Sequence, residues 1–216
     1  MRNLSRRSLL GLGLGFGSTL ILAACRGRAS AAPRDALAPT PHIPDEDDLP
    51  PVPASACVAD PTAKNIEGPF YKRGAPHRSV LADPKDAGER LMLTGTLRST
   101  TCEPISGATI DVWQANAAGD YDLDGFRFRG ALTTDPKGRW DLRSIVPGRY
   151  LNGDRYRPAH VHIKIKAKGF PVLTTQLYFA DDPYNDGDPF IDTSLIMTHT
   201  IEKDLRRARF DFVLAA

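Results

Sequence analysis

Apolar side chains recur at every second position in a series of short runs closed by glycine or proline, and no run shows the three-to-four spacing of an amphipathic helix. That pattern restricts the chain to an all-β fold. Leu91, Leu93, Gly95 and Leu97 alternate with Met92, Thr94 and Thr96, which predicts a half-buried strand, and Cys102 to Gly107 forms the turn after it. Thr109 to Ala115 is a second strand, with Ile110 and Val112 opposed to Asp111 and Trp113. Asp135-Pro136-Lys137-Gly138 is a turn, Arg139 to Ile145 a strand, and Val146-Pro147-Gly148-Arg149-Tyr150 a bend. A strand from Ala159 to Lys166 follows a short Asn-Gly-Asp connection. Val172 to Phe179 is the next strand, with Gln176 as a polar intruder, and Glu202 to Arg207 suggests a helical turn. Ala208 to Leu214 closes the series with Phe210, Phe212 and Leu214 on one face. Strands of this kind predict an antiparallel β-sandwich or barrel in a single domain.

The globule does not begin at residue 1. Ser5-Arg6-Arg7-Ser8-Leu9-Leu10 opens a Gly-rich apolar run ending in Leu22-Ala23-Ala24-Cys25, too short and too Gly-broken for a spanning helix. The paired arginines resemble a twin-arginine export signal, and Leu-Ala-Ala-Cys resembles a lipobox, with cleavage before Cys25 and a lipid on its thiol. The mature protein is therefore expected outside the cytoplasm, periplasmic or extracellular, with a membrane tether through Cys25. Residues 26–56 are rich in Pro and Ala and carry the acidic run Asp45-Glu46-Asp47-Asp48, a composition that reads as a disordered tether. The folded domain is expected over 57–216. If Cys25 is lipidated, Cys57 and Cys102 remain as an even pair in an oxidising compartment, which suggests one disulfide.

Charge argues against nucleic acid as a partner. The whole chain has 28 Lys and Arg against 26 Asp and Glu; Arg2, Arg6 and Arg7 belong to the signal, leaving 25 basic side chains against 26 acidic. No basic excess remains on the domain.

Chemistry concentrates in Arg157-Pro158-Ala159-His160-Val161-His162-Ile163-Lys164-Ile165-Lys166. On a pleated strand Ala159, Val161, Ile163 and Ile165 share one side, and both imidazoles leave that core face together, as a metal-ligand pair would. Cysteine is poorly placed to complete a site, and no His-x-x-Glu-His or Cys-x-x-Cys pattern exists. Tyr121, after Gly119-Asp120, and Tyr150, at the Pro-Gly bend, are better candidates. A phenol ionises near pH 10, so it ligates only a strong Lewis acid, and a hard trivalent ion such as Fe(III) meets that need better than zinc.

Five segments then appear in an order that resembles the intradiol ring-cleavage dioxygenases, the non-haem iron(III) family of catechol and protocatechuate dioxygenases. They are Glu67-Gly68-Pro69-Phe70-Tyr71; Asp111 to Asn116 leading to Gly119-Asp120-Tyr121; Ile145 to Tyr150; Arg157 to His162; and Thr174-Thr175-Gln176-Leu177. The resemblance implies a β-sandwich core with long active-site loops and a mononuclear Fe(III) held by Tyr121, Tyr150, His160 and His162. It implies Arg157 and Gln176 as catalytic residues lining the substrate pocket, Tyr150 as an acceptor of substrate protons, and Pro69 and Tyr71 with Arg157 in the pocket wall. The implied reaction is cleavage of a small aromatic diol by dioxygen to a cis,cis-muconic acid-type product.

Two readings compete. A non-catalytic transthyretin-like β-sandwich module for surface binding shares the turns at Gly107-Ala108, Asp135 to Gly138 and Pro147 to Tyr150. A divalent-metal hydrolase would use the two histidines but needs a third His or a carboxylate. Asp181 to Asp188 invites a calcium reading, yet its spacing does not fit an EF-hand loop and favours a solvated turn. The short interval between Tyr121 and Asp135, and the lack of a long helical N-terminal segment, depart from better-known cytoplasmic members. No sequence feature fixes the oligomeric state, the particular catechol, or whether Lys72 or Arg78 faces the pocket to hold a ring carboxylate.

Overall fold

In the computed structural model, which describes residues 60–216, the chain forms eleven strands. They are β1 (Arg90–Ser99), β2 (Thr109–Trp113), β3 (Arg129–Thr133), β4 (Arg139–Ile145), β5 (Tyr150–Asn152), β6 (Arg155–Arg157), β7 (His160–Lys166), β8 (Leu173–Phe179), β9 (Ile196–Glu202), β10 (Leu205–Arg209) and β11 (Phe212–Leu214). The helical segments among the described residues are the 3-10 turns Asn185–Gly187 and Thr193–Leu195. The export signal, the tether, Cys25 and Cys57 lie outside the described residues. Cys102 is disulfide-bonded.

Nine strands join one nearly barrel-shaped sheet in the order β11-β1-β10-β9-β8-β7-β2-β3, with β4 also paired to β1. β5 and β6 form a separate two-stranded ribbon. The expectation of a purely antiparallel arrangement is corrected, because β1 runs parallel to both β10 and β11, and β8 runs parallel to β9. The large core gathers Leu93, Leu97 and Leu142 with Val161, Ile163 and Ile165 of β7, so the alternation read from β7 assigns its core face correctly.

Three local expectations differ from the fold. β1 is buried on both faces, Met92, Thr94 and Thr96 included, so its alternation in sequence does not mark a solvent face. Glu202 to Arg207 is no helical turn: Glu202 pairs with Leu205 across a two-residue connection in which Lys203 has φ 55°. The run from Ala208 to Leu214 is broken at Phe210 and Asp211 into β10 and β11. β3 and β9 gave no clear period-two signal, since each exposes part of its length and β3 is only five residues long.

The break at Phe210 has a structural partner. β1 pairs with β10 over residues 90–94 and with β11 over 97–99, and Gly95 sits where it changes partner. A Cβ on Gly95 would lie 1.7 Å from the Phe210 carbonyl oxygen, so only glycine lets the bend pass. Asp211 secures the bend by accepting from the Thr96 backbone N–H at 2.7 Å and its hydroxyl at 2.9 Å. Gly95→Ala should therefore destabilise the fold by about 1–3 kcal/mol, the usual cost of overpacking a closed interior. Urea unfolding would check this, and an unchanged midpoint would show that the bend can yield.

Candidate metal centre and substrate cavity

Strand register assembles the centre of the site. β7 lies between β2 and β8. Trp113, His162 and Gln176 are direct partners across the three strands, and His160 is opposite Tyr178. All five side chains are buried. The two imidazoles do leave the core face of β7, but they enter a second enclosed layer and not solvent. Residues 66–70 form part of its roof: the Gln176 amide donates to the Ile66 carbonyl at 2.9 Å, and Gly68 packs against the His162 ring. Beneath it, the Trp113 ring stacks on His162 with centroids 4.7 Å apart.

The two tyrosines arrive on loops pressed together backbone to backbone. Asn116 shapes the first loop, its side-chain oxygen accepting from the N–H groups of Ala118 and Asp120 at 2.8 and 2.9 Å. Gly119 has φ 93°, and a Cβ there would meet the Arg149 carbonyl oxygen at 2.3 Å; one on Gly148 would meet the Gly119 nitrogen at 2.4 Å. Each glycine precedes its tyrosine by two residues. Glycine is thus required where the loops touch, and the Tyr121 and Tyr150 rings come within 5.8 Å. Phe70 stacks on Tyr121 at 4.2 Å, holding it from the other side.

Tyr121, Tyr150, His160 and His162 therefore form one cluster. His160 and His162 are 4.8 Å apart by ring centroid, Tyr150 and His160 are 5.7 Å apart, and Tyr121 and His162 are 6.0 Å apart. The His160 Nδ1 is 2.7 Å from the Pro158 carbonyl, which can only accept, so Nδ1 carries the proton and Nε2 presents its lone pair. That Nε2 is 3.4 Å from the Tyr121 hydroxyl. Neither nitrogen of His162 has a hydrogen-bond partner in the protein, although both are fully buried. Leaving such groups unpaired costs about 1–3 kcal/mol each, and the one nitrogen of the neutral ring that carries a lone pair is free to bind a metal ion alongside His160 Nε2.

Electrostatics point the same way. Burial, followed by the Arg157 charge, pushes His160 down to about 4. Burial pushes His162 well below the ordinary imidazole range, aided by His160, Arg157 and Arg129. Both imidazoles are therefore neutral donors near pH 7. Burial pushes both phenols up, with Tyr150 adding to the effect at Tyr121, while Arg157 opposes it at each. These phenols ionise only beside a strong cation, which a trivalent metal supplies. Among the described residues no three His, Cys, Asp or Glu side chains gather at metal-binding spacing, so the donor set of a divalent-metal hydrolase is not met there.

Arg157 borders the cluster from β6, directly opposite Tyr150 in the ribbon. It is buried, and its Nε donates to Asp188 at 2.5 Å while a terminal nitrogen donates to the Gln176 oxygen at 2.8 Å. The other terminal nitrogen lies 3.5 Å from the Tyr150 hydroxyl. Asp188 belongs to the acidic segment read as a solvated turn, and that reading is corrected: Asp182 and Asp188 are both buried. Asp182 accepts from the Ala159 N–H at 3.0 Å and from Arg149 at 2.8 Å.

A cavity of about 490 Å³ opens beside the cluster, lined by Phe70, Tyr121, Leu123, Tyr150, Leu151 and Tyr156, with Arg149 and Asp120 at its side. Pro69, Tyr71 and Arg157, all expected in the wall, are not in this lining, and Arg157 reaches it only through the Tyr150 hydroxyl at 3.5 Å. The Tyr71 hydroxyl is turned away to donate to Asp111 at 3.1 Å, and its ring packs on Trp113. Lys72 donates to the Asp124 carbonyl at 2.6 Å, and Arg78 to the carbonyls of Arg129 and Phe126, so neither cation faces the cavity.

The chain matches the dioxygenase family over residues 66–216. The chlorocatechol 1,2-dioxygenase of Pseudomonas putida is 34% identical over 176 residues, covering 71% of this chain and 68% of that one. The chain belongs to the intradiol dioxygenase family. A chlorocatechol 1,2-dioxygenase of Rhodococcus opacus is 35% identical over 59% of this chain, and the match spans 60% of that enzyme's length. Among solved structures, the dioxygenase domain of a dioxygenase and carbohydrate-binding fusion from Streptomyces sp. SirexAA-E superposes with TM-score 0.68 at 41% identity. That superposition covers 73% of this chain and 99% of the Streptomyces domain.

In this intradiol dioxygenase family member, Asp188, Asp182, Tyr178 and Trp113 are site residues to which the sequence reading assigns no role. Their roles depend on contacts between segments far apart in the chain, and only the paired Gly-x-Tyr spacing of the two loops hinted at the packing. Asp188→Ala should leave the Arg157 charge buried without its partner. A loss of about 3–5 kcal/mol is expected by urea unfolding. A loss below 1 kcal/mol would mean that Gln176, Tyr178 and the Tyr150 hydroxyl suffice to hold the guanidinium.

Proposed function

We propose that the protein is an iron(III) intradiol dioxygenase that cleaves a catechol-type diol between its two hydroxyl-bearing carbons, placing both atoms of dioxygen in a cis,cis-muconic acid-type product. The observation that carries this reading is the meeting of two neutral imidazoles and two phenols in one buried cluster, in a chain of this family. Tyr121, Tyr150, His160 and His162 would hold the iron, and the nearly barrel-shaped sheet is read as the family's β-sandwich core. Held by these four residues, iron(III) would supply the Lewis acidity that draws electron density from the diol and opens the ring to dioxygen.

The protein's own groups prepare that chemistry. Tyr150 borders the cavity, and burial gives its phenolate a high proton affinity, so its Oη is the acceptor for a proton leaving the diol. Arg157 fixes a permanent positive charge beside that oxygen. Negative charge developing on the substrate is stabilised there without reorganisation, because Asp188 and Gln176 already hold the guanidinium in place. The Pro158 carbonyl fixes the His160 tautomer. A transthyretin-like binding module would share the turns but has no use for this donor set.

Iron-replete expression should give a protein coloured by tyrosinate-to-iron(III) charge transfer that takes up dioxygen with catechol. Tyr150→Phe should shift the visible band and lower kcat/KM by about 10²–10⁴, the range for losing a positioned acid or base. Colourless, iron-free protein, or an unshifted band in the variant, would refute the assignment.

Residues 1–25 are further proposed as a twin-arginine-type signal ending at a lipidated Cys25, with 26–56 as the tether of an exported enzyme. Its membrane association would then depend on the Cys25 thiol. Cys25→Ala should move the protein from the membrane to the soluble fraction of a bacterial host with its dioxygenase activity retained. Unchanged partitioning would rule out the lipid anchor.

A further inference from the structure

The cavity beside Tyr121 and Tyr150 is roomier than a single ring needs. Its volume of about 490 Å³ is in the range of pockets that take drug-sized ligands. Three exposed apolar side chains stand in its lining beside the polar groups of Asp120 and Arg149: Leu123, Leu151 and Tyr156 remain 65%, 57% and 49% exposed. Clustered apolar side chains that stay in water mark a place where something else covers them. Leu151 and Tyr156 are direct partners across the β5 and β6 ribbon and so share one face of it. Leu123 lies two residues after Tyr121 and Leu151 directly after Tyr150, so both side chains belong to the tyrosine loops. The Tyr156 ring packs against Tyr184 with centroids 5.2 Å apart.

Charge selects the kind of group that fits. Arg149, the arginine in the lining, is paired with Asp182 at 2.8 Å, and Asp120 adds an acid beside it. Lys72 and Arg78 are committed to backbone carbonyls. An anionic substituent would find no unpaired cation in this lining.

We infer that the substrates are catechols bearing a neutral aromatic substituent, which seats against Leu123, Leu151 and Tyr156 while the diol faces Tyr121 and Tyr150. This rests on the dioxygenase reading above and narrows it. The substituent stays outside the reacting ring and adds affinity by covering apolar surface.

The test uses the iron-loaded full-length chain with catechol, 4-phenylcatechol and 3,4-dihydroxybenzoate. Dissociation constants are measured without dioxygen, and dioxygen uptake is measured separately. 4-Phenylcatechol should bind about tenfold more tightly than catechol, a modest value for a ring held against these side chains, with kcat/KM raised in proportion. 3,4-Dihydroxybenzoate should bind no more tightly than catechol. Tyr156→Ser should erase most of the preference for 4-phenylcatechol over catechol, and Leu123→Ser, on a separate exposed loop, should reduce it independently. Equal binding of the phenyl and unsubstituted diols, preference for the carboxylate, or an unchanged preference in both variants would overturn the inference. Retained binding order with no dioxygen uptake from any diol would instead overturn the dioxygenase reading and, with it, the assignment of these diols as substrates.

Discussion

The Arg157 guanidinium is the charge around which the site is closed. A buried arginine must have its charge balanced and its N–H groups received, and each acceptor here ties a different part of the chain to the cluster. Asp188 brings in the segment between β8 and β9, Gln176 brings in β8, and the Tyr150 hydroxyl brings in the ribbon. Gln176 passes the connection on to the Ile66 carbonyl and so to the roof over His162. Phe190 adds a face-on contact to the same guanidinium at 4.7 Å. Fixed this way, the charge is available to a substrate without rearrangement, which is what a preorganised site requires.

The metal-ligating candidates are held by two kinds of constraint that meet at the cluster. The imidazoles are set by register on a strand buried on both sides, where a one-residue slip would send them into the apolar core. The phenols are set by loops, and loops are precise only when packed. Gly119 and Gly148 provide that packing by bringing the two backbones into contact, and Phe70 provides it by stacking on Tyr121. The cost of this enclosure is visible in the ionisation of the four donors, all of which burial drives toward their neutral forms. A strongly charged cation would reverse that preference for the phenols and take up the lone pair of one buried His162 nitrogen.

Much of the fold was legible because alternation is a local property. The faces of β7, the bounds of β4 and the polar position of Gln176 follow from sequence period and turn residues. The failures were also local in origin. β10 and β11 read as one strand because Phe210, Phe212 and Leu214 alternate, and only the approach of Gly95 shows why the chain must bend between them. The segment from Asp181 to Asp188 read as solvated because acids usually are, and nothing nearby in sequence announces that Arg157, thirty-one residues away, buries one of them. Tyr71 carried a motif but not an orientation, and its hydroxyl went to Asp111.

Sequence by itself determined the residue types, the alternation and the glycines: an all-β chain with two histidines on one strand face and two Gly-x-Tyr loops, in the order of the intradiol dioxygenases. The tertiary structure decided what those residues meet. Register set Trp113, His162 and Gln176 in one row, loop packing brought the phenols to the imidazoles, and a distant aspartate fixed the arginine. The division has a physical reason. Periodicity is written in neighbouring residues, whereas burial, pairing and the shape of a cavity depend on which distant segments exclude water together.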